Sequence, residues 1–359
     1  MKRILVIGPS WVGDMVMSQC LYSTLKQQKP DAVIDVMAPA WCRPILERMP
    51  EVNKALSLPF GHGDFKFAER RSLGKSLQGK YDEAYVLPNS AKSALIPWFA
   101  KIPVRTGWKG EMRFGLLNDI RPNKKSFHFM TERYAALAYP KEKMTGSEAL
   151  GGLEKLPKPN LYIDKKSQKL AVEKFNLKTK RPTVGLCPGA EFGPAKQWPT
   201  AHYAEVASAQ IKKGAQVWLF GSAKDSATTQ GIISHIPEPL REHVFDLAGK
   251  TSLIEAVDLL ACCQTVVSND SGLMHVACAA GCDVVGVYGS TSPSYTPPLA
   301  KRSTVVHTEI ECRPCFKREC PYEHLKCLTE LKPEKVNHAI QELSKQRLET
   351  IITTSKVNS

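Results

Sequence analysis

A carboxylate stands where a phosphate-binding loop would carry a cation. In MKRILVIGPSWVGDMVMS the apolar run Ile4 to Ile7 ends at Gly8, and Gly13 follows at the spacing of G-x-x-x-x-G-K-[ST], but Asp14 and Met15 replace the lysine and hydroxyl. Three further stretches place reactive side chains after apolar runs. In SNDSGLMHVA (268–277), Asn269 or Asp270 can cap a helix while Ser271 and Gly272 leave its first amides open, a ready site for an anion. His275, one turn further on, can donate to a phosphate oxygen, or equally sit against the core. The loop PGAEFGPAKQWP (188–199) can approach a diphosphate closely and offers Lys196 to neutralise it; on the plainer reading Lys196 is a surface lysine. In FGSAKD (220–225), Asp225 can hold ribose hydroxyls or simply cap the next helix.

The elements that position these groups alternate. KRILVIG, AVIDVMA (32–38) and YDEAYVLP (81–88) read as strands, with MVMSQCLYSTLKQQ and HFMTERYAALAY (128–139) as helices. Residues 141–160, rich in Lys, Pro and Gly, read as a connection. Beyond them the rhythm restarts: strands in 183–189, 215–221, 264–270 and 282–289, helices in AHYAEVASAQIKKG (closing on Gly214), SLIEAVDLLACC (252–263) and LMHVACAAG (273–281). Apolar strands separated by amphipathic helices imply two doubly wound α/β domains with parallel sheets, whose ligands bind at the carboxyl ends of the strands. The expected division is 1–160, 161–332, and a late helix with tail, 333–359, packing back on the first domain.

Composition narrows the classes. The chain has 359 residues, 43% apolar and 23% charged, enough for two buried cores. It offers no run of ~20 apolar residues to span a bilayer, and its first apolar stretch is too short for a secretory leader. A cytosolic location and reduced thiols follow as expectations for its eleven cysteines. The net charge is +14, and residues 1–160 carry 25 basic against 15 acidic side chains, concentrated in KFAERRSLGK (66–75), RTGWKGEMR (105–113) and RPNKK (121–125). Such a surplus suits a polyanionic partner. Nothing resembling a nucleic-acid-binding signature accompanies it, and no strand is followed by the G-x-G-x-x-G of a nicotinamide enzyme.

Taken in order and spacing, GDMVMS, PGAEFGPAKQWP, DLAGKTSLIEA and SNDSGLMHVACAAG resemble the bacterial ADP-heptose:lipopolysaccharide heptosyltransferases. CRPCFKRECPYEHLKCL (312–328) is similar to the branch that adds the second inner-core heptose. The resemblance implies a GT-B fold, two Rossmann-like domains across a cleft, binding acceptor on the first and nucleotide sugar on the second. It implies Asp14 as the general base, since a sugar hydroxyl is a poor nucleophile until a carboxylate takes its proton. It assigns Lys196 to the donor phosphate and sugar, Asp225 to the ribose, and Thr251 to the adenine edge. It also assigns Asp270 to the heptose hydroxyls, and Ser271, Gly272 and His275 to the diphosphate. Glu191 and Phe192 depart from the paired threonines of a related enzyme and are left out of the site. The implied donor is ADP-heptose. The implied acceptor is heptosyl-Kdo2-lipid A, met peripherally at the cytoplasmic face of the inner membrane, with Lys92, Arg113, His128 and Arg133 as candidate contacts. The alternatives are a heptosyltransferase adding a different core heptose, or a transferase or epimerase of the same fold using another nucleotide sugar. Cys312, Cys315, Cys320 and Cys327 are spaced C-x2-C-x4-C-x6-C, which lacks the second C-x2-C of a structural zinc site. Packed free thiols are expected there rather than zinc; no cofactor is expected, and whether a divalent ion assists is left open by the sequence.

Overall fold

The computed structural model describes residues 1–61 and 63–357. The chain divides into two compact units, Met1–Tyr162 and a second beginning at Ile163. The first holds six parallel strands: β1 (Arg3–Ile7), β2 (Val33–Ala38), β3 (Val52–Ser57), β4 (Glu83–Val86), β5 (Val104–Trp108) and β6 (Asp119–Arg121). Their spatial order is β3-β2-β1-β4-β5-β6. The second unit repeats the plan with β7 (Thr183–Cys187), β8 (Gln216–Leu219), β9 (Val244–Asp246), β10 (Thr265–Asn269), β11 (Asp283–Val287) and β12 (Ser303–Val306), ordered β12-β11-β10-β7-β8-β9. In each sheet the order reverses beside its first strand, at β1/β4 and at β7/β10. That reversal opens a crevice at the carboxyl edge, where ligands bind.

The central strands are continuous apolar runs because helices cover both faces. β1 buries Ile4, Leu5, Val6 and Ile7; β7, β10 and β11 are buried throughout. Helix Thr200–Lys212 closes on Gly214, whose φ of +92° is costly for any residue with a Cβ. Strands at the rim were harder to read: β3 is half exposed and β6 has three residues. KFAERRSLGK, which sequence marks only as a basic stretch, contains the helix Phe67–Ser76. Residues 141–160 are not a free connection: Gln19 exchanges hydrogen bonds with the Asn160 backbone (2.8 and 2.9 Å) and the Cys20 thiol donates to the Pro157 carbonyl (2.9 Å). These bonds strap the segment to helix Val12–Gln28 within the first unit.

The last helix, Pro333–Val357, packs in the second unit on helix Thr200–Lys212 and on β10, β11 and β12. Val336, Ile340 and Leu343 enter that unit's core, and a fully buried side chain of this kind contributes about 1.5–3 kcal/mol. A polar clamp adds direction. The buried Asp283 carboxylate accepts from Arg302 Nε (2.8 Å) and from Arg347 Nη2 (2.7 Å), so the helix is pinned to the start of β11. Breaking a buried pair leaves a charge without compensation. Asp283→Asn is expected to lower unfolding stability by about 2–4 kcal/mol in denaturant titrations; a loss below about 0.5 kcal/mol would contradict the clamp.

Candidate functional site

Asp14 sits in the first turn of helix Val12–Gln28, directly after β1 and Gly8. The backbone passes closely at Gly8, where a Cβ would lie 2.8 Å from Met15 Cε and 3.2 Å from the Met37 carbonyl, so a larger residue would have to push the methionine aside. The position beside open helix amides favours negative charge. Asp14 is partly exposed, and Tyr134 donates to its Oδ1 at 3.3 Å. Cations gather nearby: Lys124 has its pKa lowered by burial and by Arg133 and Arg113, while Asp14 opposes the shift. Neither Tyr134 nor Lys124 was singled out from sequence, because the loop and helix that bring them to Asp14 lie over a hundred residues downstream.

The candidate acceptor contacts fare unequally. Lys92 and Arg133 are partly exposed and His128 is exposed. Arg113 is 2% exposed, and its guanidinium donates to the carbonyls of Pro88 (2.6 Å) and Trp108. Burial lowers its pKa to about 10 against the pull of Glu111. Arg113 therefore braces the loop between β5 and β6 through backbone carbonyls, while its buried Nε has no hydrogen-bond partner among the described residues.

In the second unit the loops after β7, β10 and β11 meet at one carboxylate. Asp270, 5% exposed, accepts from Lys196 Nζ (2.7 Å) and Thr291 Oγ1 (2.7 Å) on one oxygen and from Thr296 Oγ1 (3.3 Å) on the other. Lys196 also donates to the Asp270 carbonyl at 3.1 Å and lies 5.0 Å from the centre of the Phe192 ring. The Arg318 guanidinium lies 5.5 Å from the same ring, and the Arg318 carbonyl accepts from Ala195 N at 3.0 Å. So the C-terminal segment braces the loop that carries the lysine. Thr291, Thr296, Phe192 and Arg318 were not picked out for these parts. The stretch STSPSYT after β11 did carry a signal, since it follows a strand and is dense in hydroxyls.

Ser271 is the N-cap of helix Gly272–Ala279 and makes no side-chain capping bond, so amides of the first turn point outward uncapped. Asn269 ties this turn to the Pro188 loop by donating to the Pro188 carbonyl (2.6 Å) and accepting from Trp198 N (3.3 Å). Asp225 caps its own turn: Oδ2 accepts from Ser222 N and Oγ, both at 2.8 Å. It occupies a slot that only glycines leave open, because a Cβ at Gly189 or Gly221 would lie 2.6 or 2.8 Å from it. The turn that leads to Thr251 is stacked on the Asp225 turn through Gly249 N donating to the Gly221 carbonyl at 3.0 Å. Lys196, Ser271, Gly272 and His275 thus surround Asp270, while Asp225 and Thr251 lie on neighbouring loops along the same strand edge.

The four C-terminal thiols are unpaired, and with His324 they line a cavity of about 10 Å³. Cys320 Sγ lies 4.0 Å from His324 Nδ1. Backbone N–H groups lower the Cys320 pKa, whereas burial raises that of Cys327. Among the described residues, no three His, Cys, Asp or Glu side chains form a group that could hold a metal ion.

Residues 70–326 match glycosyltransferase family 9 (heptosyltransferase). The chain belongs to that family. It is 50% identical over 343 residues to lipopolysaccharide heptosyltransferase 2 of Salmonella typhimurium, covering 95% of this chain and 98% of that one. It is 53% identical over 308 residues to lipooligosaccharide heptosyltransferase 2 of Haemophilus influenzae, covering 85% and 88%. Its structure superposes on that of Escherichia coli ADP-heptose LPS heptosyltransferase II with a TM-score of 0.86 at 48% identity, covering 97% and 99%. The fold is accordingly the GT-B type.

His275 is 5% exposed; burial, with Lys196 adding and Asp270 opposing, lowers its pKa to about 4. It is neutral near pH 7 and can still donate one N–H. Between pH 6.5 and about 4 the unfolded chain binds a proton that the folded chain refuses, so stability falls as pH falls. Over that window the loss attributable to His275 is on the order of 3 kcal/mol. Comparing unfolding free energies of wild type and His275→Gln across it should give a visibly shallower slope for the variant, and parallel slopes would refute the burial argument.

Proposed function

We propose that this protein transfers L-glycero-D-manno-heptose from ADP-heptose to heptosyl-Kdo2-lipid A, adding the second heptose of the lipopolysaccharide inner core with inversion at the anomeric carbon. The observation that carries the reading is likeness to heptosyltransferase 2 proteins at 50% identity over nearly the whole length. The residues fit the chemistry. On the first unit, Asp14 takes the proton of the acceptor hydroxyl as its oxygen attacks the anomeric carbon, and Tyr134 orients the carboxylate. On the second unit, the bond from that carbon to the ADP oxygen breaks. Lys196 and the amides of Ser271 and Gly272 receive the charge that develops on the diphosphate. Neutral His275 adds one donor. Asp225 and Thr251 hold ribose and adenine, and Asp270, besides reaching the heptose hydroxyls, keeps Lys196 in place.

The acceptor's phosphates and acid sugars meet the basic first unit, with Lys92, His128 and Arg133 as contacts. No described helix is long and apolar enough to cross a membrane; the protein works from the cytoplasmic face of the inner membrane as a peripheral enzyme. No cofactor is assigned to any step.

Asp14→Asn should leave the Kd for ADP within about twofold while lowering kcat by roughly 10²–10⁴. Isothermal titration and a coupled ADP-release assay report the two quantities separately. Turnover within about threefold of wild type would remove Asp14 from the proton transfer.

A further inference from the structure

The first unit exposes aromatic side chains that no part of the transfer chemistry uses. Phe65, Phe67 and Trp98 are 60%, 46% and 42% exposed. They form a continuous ridge with the half-buried Phe99: Phe65 stacks on Phe67 (centroids 6.0 Å apart), Phe67 meets Phe99 edge-on (5.5 Å), and Phe99 meets Trp98 (4.7 Å). The backbone beneath is rigid. Helices Phe67–Ser76 and Ala91–Phe99 pack so tightly that a Cβ on Gly74 would lie 2.6 Å from Phe99 Cβ. Buried Arg70 locks the turn before the first helix by donating to the carbonyls of Phe65 (2.7 Å) and Asp64 (3.1 Å).

Soluble proteins seldom leave a contiguous apolar ridge in water without a use for it. Its rim identifies the partner. Exposed Lys66 lies between the two phenylalanines, Arg71 stands one turn beyond Phe67, and Lys75 and Lys101 flank the Gly74–Phe99 contact. Residues 64–80 and 91–105 together carry eight basic and two acidic side chains. Rings that sit at a polar–apolar boundary, ringed by cations, match the headgroup layer of a negatively charged bilayer.

We propose that the Phe65–Phe67–Trp98–Phe99 ridge is the surface by which this protein docks on an anionic lipid bilayer, with the surrounding lysines and arginine holding lipid phosphates. The inference deepens the reading of a membrane-borne acceptor, but its first readout, binding to vesicles, needs no substrate. Full-length protein is sedimented with phosphatidylcholine vesicles made with and without phosphatidylglycerol. The expected result is binding to the anionic vesicles that weakens with salt. Partitioning should fall about tenfold or more in Phe65→Ser/Phe67→Ser/Trp98→Ser and several-fold in Lys66→Glu/Arg71→Glu. Both variants should keep wild-type ADP binding, and transfer to a deacylated, water-soluble acceptor should stay within about twofold. If the aromatic variant fails to fold, the charge variant alone decides. Wild-type protein that stays in the supernatant with anionic vesicles, or a folded variant that sediments as wild type does, overturns the proposal. So does loss of transfer to the soluble acceptor, which would place the ridge in the acceptor site instead.

Discussion

A buried carboxylate must find positive charge and hydrogen-bond donors, and Asp270 finds its donors on two other loops. Lys196 comes from the loop after β7, Thr291 and Thr296 from the segment after β11, and Asp270 itself directly follows β10. Desolvating such a charge is costly unless every lone pair is met, so the demand of one side chain draws three strand ends together. The consequence is a lysine held before any ligand arrives, close to helix amides left without a capping side chain. Preorganised donors of that kind stabilise charge in a transition state without a further cost of reorganisation.

The first unit solves the opposite problem with the same topology. Both sheets reverse order beside their first strand, and both place a helix start at the crevice so formed. In the second unit the groups beside that start are a lysine and open amides. In the first it is the carboxylate of Asp14, with Tyr134 bound to it and Lys124 close enough to feel its charge. One topology used twice thus sets unlike groups at the same kind of strand edge: a carboxylate in the first unit, a lysine and helix amides in the second.

Much of this was legible in the sequence, for reasons that differ by element. The inner strands β1, β7, β10 and β11 are unbroken apolar runs because they are covered on both faces, and that pattern survives without any knowledge of partners. Edge strands such as β3 are half solvated and lose it. The helix Phe67–Ser76 was masked by its own charges, and Ala91–Phe99 by the proline at position 97. Of the candidate site, the side chains that sequence could point to are those on the segments that follow inner strands: Asp14, Lys196, Asp225, Asp270 and His275. What stayed hidden were partners joined only by folding, namely Tyr134 on Asp14, Thr291 and Thr296 on Asp270, and Arg318 beside Phe192. Arg113 shows the reverse error, in which an arginine in a basic stretch proved to be buried and bonded to backbone carbonyls. Charge alone does not distinguish an exposed cation from one buried against backbone carbonyls.

The central claim is that the chain joins a heptose from an ADP-linked donor to an acceptor that already bears one. Supplying ADP-heptose with Kdo2-lipid A acceptors carrying zero, one or two heptoses, and following the products by mass spectrometry, addresses it most directly. The account requires a single added heptose on the one-heptose acceptor and background signal on the other two. Efficient addition to the heptose-free acceptor, or transfer from a uridine-linked sugar in place of ADP-heptose, would contradict it.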